Sequence, residues 1–380
     1  MKKICNLTTT HTRNDQRVFL KECLTEKQNY EVHLVVCDGE SDELKEGIHI
    51  HALKRFKTRF RRVTFSTFEV YRKAKALKAD IYVFHDPDFL WLALLLKRKD
   101  NAVIWDCHEA YSEKERPIQK TLWFLHHILF WLFKGLALLV VRHLDGAIAP
   151  ANTVKDWLAA LGCKKCYLLH NYALRTEFQC VKSPNYNEAI QRILYIGAFS
   201  TSRNIHILIE AIALCKHKNV RLTLCGSNAR KPYEAYCRQL SGWSRVEFYR
   251  DANRKVIRDL QGECFASVVS YAFFEKSDSS PVKFFEYMAL SLPIILGGNN
   301  VTEFFKDLVY NNGHPLGLVV DSDPQAIANA IDYLYENKEV ARTMGMNGRK
   351  AFETKYNFES EADGFLKFLE EVSQSKNQNK

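Results

Sequence analysis

Short apolar runs alternate with longer amphipathic stretches through the first half of the chain. The runs have the length and composition of strands, and the stretches between them repeat apolar positions at helical spacing. The strand-like runs are KICNLTT, EVHLVVC, DIYVFH, AVIWDCH and DGAIAP. Strands that alternate with helices predict βαβ units, and therefore a parallel sheet covered by helices on both faces.

The same pattern restarts after a polar stretch at residues 175–191. Six further strand-like runs follow: RILYIG, VRLTLCG, RVEFYR, CFASVVS, LPIILGG and LGLVVD. We therefore predict two doubly wound, Rossmann-like α/β domains at 1–172 and 190–357, with an amphipathic helix and a polar tail at 358–380. Two such domains would face each other across a cleft at the carboxyl ends of their strands, where folds of this class bind ligands.

Two segments stand apart from this alternation. Lys54–Arg62 contains six cations in nine residues, with aromatic residues between them. Thr121–Val141 is rich in Trp, Phe and Leu and has the length of a membrane span. A spanning helix would place two parts of one sheet on opposite sides of a bilayer, so we expect a buried helix or one lying in a membrane interface. The basic segment favours the interface, because an anionic leaflet attracts cations; a solvated basic face is the alternative.

The composition is that of a globular protein with a positive charge. Apolar residues make up 47% of the 380 residues, and the net charge is +10, which favours phosphates, anionic lipid or nucleic acid as partners. The eleven cysteines are scattered, and the chain opens directly into an apolar strand without the pattern of a signal peptide. We therefore expect reduced thiols in the cytoplasm.

The stretch SSPVKFFEYMALSLPII places unusual charges at the start of a predicted helix. Ser280 is a natural N-cap and Pro281 suits the first helical position. Lys283 then falls in the first turn, where the helix dipole disfavours a cation, and Glu286 lies one turn further on. A bound diphosphate would offset the repulsion on Lys283, and the Glu286 carboxylate could accept hydrogen bonds from a ribose diol. The alternative is an exposed Lys–Glu pair on a helix surface.

Two more strand ends of the second domain carry residues suited to a nucleotide. Gly197 follows a predicted strand and would let the backbone approach a ligand, and Arg203 could bind phosphate through two nitrogens. Gly226 ends the next strand, where a base could rest. The spacing of these glycines is not that of a dinucleotide-binding motif or a P-loop, which argues against an oxidoreductase or a P-loop NTPase.

Several stretches together resemble the retaining glycosyltransferases of family 4, which have the GT-B fold. The resemblance extends over residues 3–365 and is carried by SSPVKFFEYMALSLPII, ILYIGAFSTSRNIHILIEAI, LLHNYALRTEF, DIYVFHDPDFL and VIWDCHEAY. HTRNDQRVFLKECL is similar to the subgroup found in bacterial surface-polysaccharide synthesis. The resemblance implies an N-terminal acceptor domain, a C-terminal nucleotide-sugar domain, and a terminal helix that returns to the first domain.

The resemblance also implies roles for residues of the second domain. Glu286 matches the second glutamate of the family's E-x7-E motif, the ribose ligand, and Arg203 matches its phosphate-binding cation. The first glutamate is replaced by Asp278, a shorter carboxylate, so the donor sugar is open. Where relatives often have a second cation this chain has Ala198, and we expect Lys283 to supply the missing charge.

In the first domain, His108 matches a histidine that lies near the transferred sugar in relatives, where it would orient a sugar hydroxyl or the acceptor; a core histidine is the alternative. The family's glycine-rich loop is replaced by TTTHTRNDQR, with Asp15 and Arg17 as polar candidates near the acceptor. We expect His85 to be a core histidine. The motif DPD at 86–88 is interpreted as structural, with Asp88 capping the next helix.

These observations lead to one prediction of function. The chain would be a cytoplasmic transferase, peripheral at the membrane, that moves a hexose from a UDP- or GDP-sugar to a growing, lipid-linked glycan with retention of configuration. DPD imitates the D-x-D metal motif of a different glycosyltransferase fold, and no other carboxylate or histidine cluster has metal-ligand spacing. We therefore expect no metal requirement, with Arg203, Lys283 and a helix N-terminus stabilising the departing diphosphate. The alternatives are a sugar-nucleotide epimerase or hydrolase on the same fold, and a non-catalytic protein that binds anionic membranes or nucleic acid.

Overall fold

The structure is a computed structural model, and its chain divides into two units. The described residues are 1–111, 123–180, 183–227, 229–252, 254–271 and 281–377. The first unit combines Met1–Asn171 with Glu361–Lys380, and the second is Tyr172–Ser360. The predicted tail at 358–380 therefore lies almost entirely in the first unit, and the polar stretch at 175–191 belongs to the second.

The first unit is built on a sheet of eight strands in the order β3-β4-β2-β1-β5-β6-β7-β8. Every neighbouring pair is parallel except β3 and β4, which are antiparallel. The strands are β1 (Lys3–Leu7), β2 (Glu31–Val36), β3 (Glu43–Lys45), β4 (Ile48–Ala52), β5 (Ile81–Phe84), β6 (Ala102–Asp106), β7 (Gly146–Ala149) and β8 (Cys166–Leu168).

The second unit contains a sheet of six parallel strands in the order β11-β10-β9-β12-β13-β14. Its strands are β9 (Gln191–Ala198), β10 (Val220–Ser227), β11 (Val246–Arg250), β12 (Cys264–Tyr271), β13 (Ile294–Gly298) and β14 (Gly317–Val320). All of the strand-like runs predicted in this half form strands, and the two parallel α/β domains are confirmed.

Helices connect the parallel strands. The α-helices are α1 (Leu24–Glu26), α2 (Arg59–Arg61), α3 (Thr67–Leu77), α4 (Leu90–Ala93), α5 (Trp123–Val141), α6 (Asn152–Ala160), α7 (Ile205–Leu214), α8 (Lys231–Arg238), α9 (Arg254–Leu260), α10 (Val282–Ala289), α11 (Glu303–Tyr310), α12 (Pro324–Glu336), α13 (Lys338–Thr354) and α14 (Glu359–Asn377). Two segments of the described residues are π-helical, Gln16–Cys23 and Arg62–Ser66. Short 3-10 turns include Pro87–Phe89 and Thr201–Arg203. None of the described helices combines the length and apolar character needed to span a bilayer.

Each unit buries its own apolar residues. In the first unit the core includes Phe84 and Trp105, whose rings stack at 5.8 Å between centroids. In the second unit two clusters lie on the sheet, one around Tyr195 and Ile209 and the other around Phe284 and Leu296. All eleven cysteines are free thiols, as expected from their scattered positions.

The helix α5 is not the fully buried helix of the first alternative, and the interface alternative stays a prediction. Ala137, Val140 and Val141 are buried in the core of the first unit. Ile128 and Leu132, on the same helix, are exposed. The helix is therefore covered on one side only, although its residues are apolar nearly all round.

Candidate active site

The helix α10 buries both charged residues that the sequence singled out. Lys283 is 9% exposed and Glu286 is 7% exposed, so the alternative of an exposed surface pair is wrong. Pro281 is the N-cap, with extended backbone, and the helix begins at Val282. The predicted start at Pro281 is therefore wrong by one residue, and Lys283 is the second residue of the helix.

Two tyrosine rings surround the Lys283 ammonium. Its Nζ lies 4.4 Å from the ring centroid of Tyr195 and 5.3 Å from that of Tyr271. The Arg203 guanidinium lies on the same Tyr271 ring, with Cζ 4.0 Å from the centroid. Burial and the Arg203 charge lower the pKa of Lys283 to about 7, while Glu286 acts in the opposite direction. No ion pair joins Lys283 or Arg203 to another residue within the described part of the chain.

The absence of a side chain at Gly197 lets the Lys283 ammonium come close to the end of strand β9. Gly197 has φ +144°, and a Cβ there would lie 3.1 Å from Lys283 Nζ and 3.2 Å from the Tyr195 hydroxyl. The hydroxyl of Tyr287, on α10, accepts a hydrogen bond of 2.7 Å from the Ile196 amide. This hydrogen bond joins α10 to β9 one residue before Gly197. It therefore fixes the position of the start of α10 relative to the end of β9.

Gly226 lies beside Gly197 in the sheet, since the two residues are paired in the register of β9 and β10. A Cβ at Gly226 would lie 3.0 Å from the Phe248 ring and 3.3 Å from Phe199. The structure thus brings four predicted residues together around one strand end or helix start: Gly197, Arg203, Lys283 and Glu286, with Gly226 on the adjacent strand. Asp278, the fourth charged candidate of this domain, lies outside the described residues.

The electrostatics of this group favour an anion. Two cations share one aromatic ring, and one of them is the second residue of a helix, where free N–H groups and the helix dipole add positive potential. Because water is largely excluded, each of these terms is stronger than at a surface. The arrangement can bind a compact polyanion, such as a diphosphate, at the ends of β9 and β12.

The first unit has its own polar cavity, of about 310 Å³. It lies beyond the ends of β1, β5 and β6 and is lined by the side chains of His11, His85, His108, Arg59 and Arg62, among others. The rings of His11 and His108 are 4.9 Å apart between centroids. His108 therefore lies at this cavity, together with His11, which sequence reasoning did not select.

Asp106 orients His108. Nε2 of His108 lies 2.8 Å from Asp106 Oδ2, so the imidazole donates its proton from this nitrogen and the neutral ring has an acceptor at Nδ1. Burial opposes the negative charge of Asp106, but the Arg17 guanidinium holds the pKa of that carboxyl well below its usual range. Asp106 is thus an ionised carboxylate that fixes the tautomer of a histidine at the cavity.

Arg17 has a structural role. Its guanidinium donates to both oxygens of Asp106, at 2.9 and 2.8 Å, and to the side chain of Asn171 at 2.7 Å. The residue is 8% exposed, and Glu22 Oε1 lies 3.0 Å from its Nε. Every polar end of the Arg17 side chain is directed into this buried network, and its predicted place near the acceptor stays a prediction.

Asp15 acts on the cavity through His11. It is the N-cap of the π-helical segment, where one carboxylate oxygen accepts from the amides of Arg17 and Val18 at 2.9 Å each. The other oxygen lies 2.9 Å from His11 Nδ1. Burial opposes the charge on His11, but its hydrogen bond to Asp15 and the nearby Asp86 raise the pKa of His11 above its ordinary value.

The DPD motif is structural, as predicted, but through a different residue. Asp86 accepts hydrogen bonds from the Thr8 hydroxyl at 2.7 Å and the Thr9 amide at 2.6 Å, and so holds the loop after β1. Asp88 pairs with Arg62 at 2.7 Å. The predicted N-cap at Asp88 is wrong, because the short 3-10 turn starts after Asp86 and has no side-chain cap.

His85 belongs to a buried hydrogen-bond chain, which agrees with its interpretation as a core histidine. Its Nδ1 is 3.1 Å from Asp106 Oδ2, its Nε2 is 3.1 Å from Asn6 Oδ1, and Asn6 Nδ2 is 2.6 Å from Glu26. Burial raises the pKa of Glu26 to about 8, so Glu26 is neutral at pH 7.

The sequence did not suggest that three possible metal ligands would meet here. Ligand atoms of His85, Asp106 and His108 lie within 4.8 Å of one another. Both Asp106 oxygens already accept from Arg17, so a cation at this point would compete with the guanidinium.

Two family models match the chain in succession. Residues 20–172 match the model described as Glycosyltransferase Family 4, and residues 181–351 match the model Glycosyl transferases group 1. The two matches fall on the two units of the structure. The second unit contains Lys283 and Arg203. The chain is a glycosyltransferase of the GT-B type. The family 4 model covers the first domain of the enzyme, and the group 1 model covers the second.

Several solved structures share the fold of this GT-B enzyme at low sequence identity. Sucrose-phosphate synthase from Thermosynechococcus elongatus has a TM-score of 0.75 at 16% identity, with 99% of this chain and 100% of that chain covered. The Anabaena protein HepE, in complex with UDP and glucose, has a TM-score of 0.73 at 14% identity, covering 98% and 100%.

A third similar structure is a UDP-forming α,α-trehalose-phosphate synthase from Burkholderia xenovorans. It has a TM-score of 0.67 at 13% identity, with 98% of this chain and 100% of that chain covered. No curated protein sequence matches the glycosyltransferase significantly.

Proposed function

We propose that this GT-B glycosyltransferase moves a hexose from a nucleoside diphosphate sugar to a lipid-linked glycan acceptor, with retention of configuration, in surface-polysaccharide synthesis at the cytoplasmic face of a membrane. The donor would bind in the second unit and the acceptor in the cavity of the first. A similar protein, HepE, was crystallised with UDP and glucose, which supports a nucleotide sugar as donor.

One observation supports the donor site: Lys283, at the start of α10, is a buried cation that lies close to a second cation, Arg203. A buried ammonium without an ion-pair partner among the described residues is costly, and a second cation on the same ring raises that cost. A diphosphate seated at the helix N-terminus would neutralise both charges. The same groups would stabilise the diphosphate as it leaves the sugar, without a requirement for a metal.

Glu286 would hold the ribose. It lies one turn after Lys283 on the same face of α10, and its carboxylate can accept two hydrogen bonds from a diol. In the first unit, His108 has an acceptor nitrogen fixed by Asp106 and would orient a hydroxyl of the sugar or the acceptor. Asp15 would assist by holding His11 beside it.

A thermal-shift panel tests the donor site directly. The full chain would be heated with UDP, GDP, ADP, CMP or dTDP, each with and without EDTA. A nucleotide at a hundred times its Kd should stabilise the folded chain by about 2.7 kcal/mol. We expect one diphosphate to raise the melting temperature, with no effect of EDTA, and that nucleotide names the base of the donor.

Substitution of Glu286 distinguishes specific binding of the nucleotide donor from general electrostatic attraction between the donor and a positively charged protein. Glu286→Ala should weaken donor binding by about 1.5–3 kcal/mol for each hydrogen bond lost. Glu303→Ala, an exposed glutamate at the start of α11, is the matched control and should leave binding unchanged. Equal affinity in the two variants would contradict the ribose assignment.

Turnover distinguishes the remaining functions. Release of free sugar from the nucleotide sugar, or conversion to an epimer, at the same rate with and without a lipid-linked acceptor would favour the hydrolase or epimerase. No shift with any nucleotide, together with binding of polyanions that is lost in salt, would favour the non-catalytic protein.

A further inference from the structure

The exposed side of α5 is apolar. Leu129 is 55% exposed, Trp131 is 50%, Leu132 is 64% and Leu139 is 58%. The opposite side of the helix packs into the core through residues such as Ala137 and Val140. A soluble helix usually places polar residues on its outer side, so this outer face requires a partner or an apolar environment.

Neighbouring elements of the first unit extend the exposed apolar area. The helix α4 contacts α5, and its Trp91 is 45% exposed. The Trp91 indole N–H donates to the Val63 carbonyl at 3.2 Å, which joins α4 to the segment around α2. That segment exposes two more large aromatic side chains, Phe60 at 74% and Phe65 at 54%.

The same segment carries a run of cations. The exposed side chains are Lys54, Arg55, Lys57, Arg59 and Arg61. In the described part of the chain these five residues form no ion pair; Arg62, at the end of the run, pairs with Asp88. Exposed cations that form no ion pair, next to exposed aromatic rings, are the combination that binds an anionic lipid surface.

We propose that the exposed faces of residues 54–65, α4 and α5, here called the docking surface, bind the first unit to an anionic lipid leaflet. The aromatic and leucine side chains would enter the acyl boundary, and the cations would lie at the level of the lipid phosphates. Charge complementarity is the reason for choosing a lipid surface over a protein or a second copy of the chain.

The docking surface borders the cavity of the first unit, because Arg59 and Arg62 belong to both. A leaflet bound there would bring phosphate groups to the rim of the cavity that contains His11 and His108. Under the proposed function, a lipid-linked acceptor would then reach His108 without leaving the membrane. This last step rests on the proposed function, whereas membrane binding itself does not.

Vesicle flotation with the full chain tests the proposal. Vesicles of phosphatidylcholine alone are compared with vesicles that also contain phosphatidylglycerol, at low and at high salt. We expect binding to the anionic vesicles, weakened by salt, and little binding to the neutral ones. Nucleotide sugar is absent, so the result does not depend on the donor site.

Two variants and two matched controls identify the surface. Arg55→Gln, Lys57→Gln and Arg61→Gln together should weaken binding to anionic vesicles about a hundredfold, and Lys164→Gln, Lys165→Gln and Lys350→Gln remove the same charge elsewhere with only a small effect. Leu132→Ser should also weaken binding several-fold, since it removes an inserted apolar side chain. Met346→Ser, at a residue that is 63% exposed on α13, is its control.

Three results would overturn the proposal. The first is no binding to any vesicle. The second is equal binding to neutral and anionic vesicles, which would remove the basic run from the surface. The third is a dimer in sedimentation velocity that Leu132→Ser dissociates, in a chain that does not float with vesicles; a second copy would then cover α5.

Discussion

Lys283 holds a charge where burial, a helix N-terminus and a neighbouring guanidinium all oppose it. Its pKa of about 7 means that both protonation states are populated at neutral pH. A bound diphosphate would raise the pKa of Lys283 again, because its negative charge favours the ammonium form. Binding of the donor and uptake of a proton by Lys283 are therefore linked.

We expect the affinity for a nucleotide sugar to fall as the pH rises above 7, because the free protein then loses the Lys283 proton. The decrease should approach about tenfold per pH unit. Titration calorimetry between pH 6 and pH 9 measures it. A nucleotide sugar is preferred to a free nucleotide because its diphosphate does not itself titrate in this range.

Lys283→Arg is the control for this pH dependence, since a guanidinium keeps its charge throughout. The variant should bind with an affinity that no longer changes with pH. A wild-type curve that is flat, or a slope that persists in Lys283→Arg, would assign the titration to another group.

Lys283→Met should stabilise the protein by about 1–3 kcal/mol at pH 7 while abolishing donor binding, because it removes a buried charge next to Arg203. Folding lowers the lysine pKa from 10.5, so the unfolded chain binds more protons and wild-type stability rises from pH 7 towards pH 10.5. The advantage of the variant should shrink over that interval. Urea unfolding measures both effects, with the exposed Lys350→Met as control.

For individual residues, the sequence suggested the charged groups of the donor site but not the side chains that contact them. The conflict between a lysine and a helix N-terminus is visible in SPVKFFE, because capping rules place both features. The rings of Tyr195 and Tyr271 and the network of Arg17 and Asp106 depend on contacts between distant strands. Sequence spacing contains no information about such contacts, so the buried partners of Arg17 could not be predicted.

At the scale of elements, α13 packs against α10 and holds it in place. The two helices are in contact, and Gly345 of α13 lies against the turn that follows α10. A Cβ at Gly345 would be 2.0 Å from the Ser291 carbonyl oxygen. Gly348, one turn later, has more room, since a Cβ there would lie 3.5 Å from Met288 Cα.

The two glycines should therefore respond in opposite ways to the same substitution. Gly345→Ala should destabilise the second unit by about 1–3 kcal/mol, because a backbone oxygen cannot move aside cheaply. Gly348→Ala should be neutral or stabilise by up to about 1 kcal/mol through helix propensity. Urea unfolding of the two variants decides the point, and equal losses would contradict the packing described for α13.

Most elements could be predicted, and the exceptions share a cause. Strands with continuous apolar runs, such as β5 and β6, are visible in the sequence because both faces of the sheet are covered. The strands β3, β4 and β8 were missed. β4 has the sequence IHIHA, in which histidines alternate with apolar residues, and β3 and β8 have three residues each. Very short strands, and strands exposed on one face, give a weak signal.

At the scale of the whole molecule, the first unit is assembled from both ends of the chain. Gly146 has no side chain because Phe368 of α14 occupies the place, 2.9 Å from where a Cβ would be. Glu361 accepts a 2.8 Å hydrogen bond from the His170 amide, and Lys2 Nζ donates to Ser373 at 2.9 Å. Helix α14 is thus part of the core of the first unit.

A chain that ends at Ser360 should lose stability in the first unit and retain the fold of the second. The truncation removes Phe365, Phe368 and Leu369, three buried side chains whose loss each costs about 3 kcal/mol or more. Hydrogen exchange should accelerate in β1, β5 and β7, while β9 and β10 stay protected. Equal acceleration in both units would contradict the division described here.

The discontinuous first unit has a consequence for biosynthesis. A ribosome releases residues 1–171 long before the helix that completes their core, whereas Tyr172–Ser360 is continuous and can fold as soon as it emerges. The half made first would therefore finish folding last. During that delay the nascent chain exposes the side of the sheet that Phe368 later covers, and this is the period in which chaperones or premature termination would affect the yield of enzyme most.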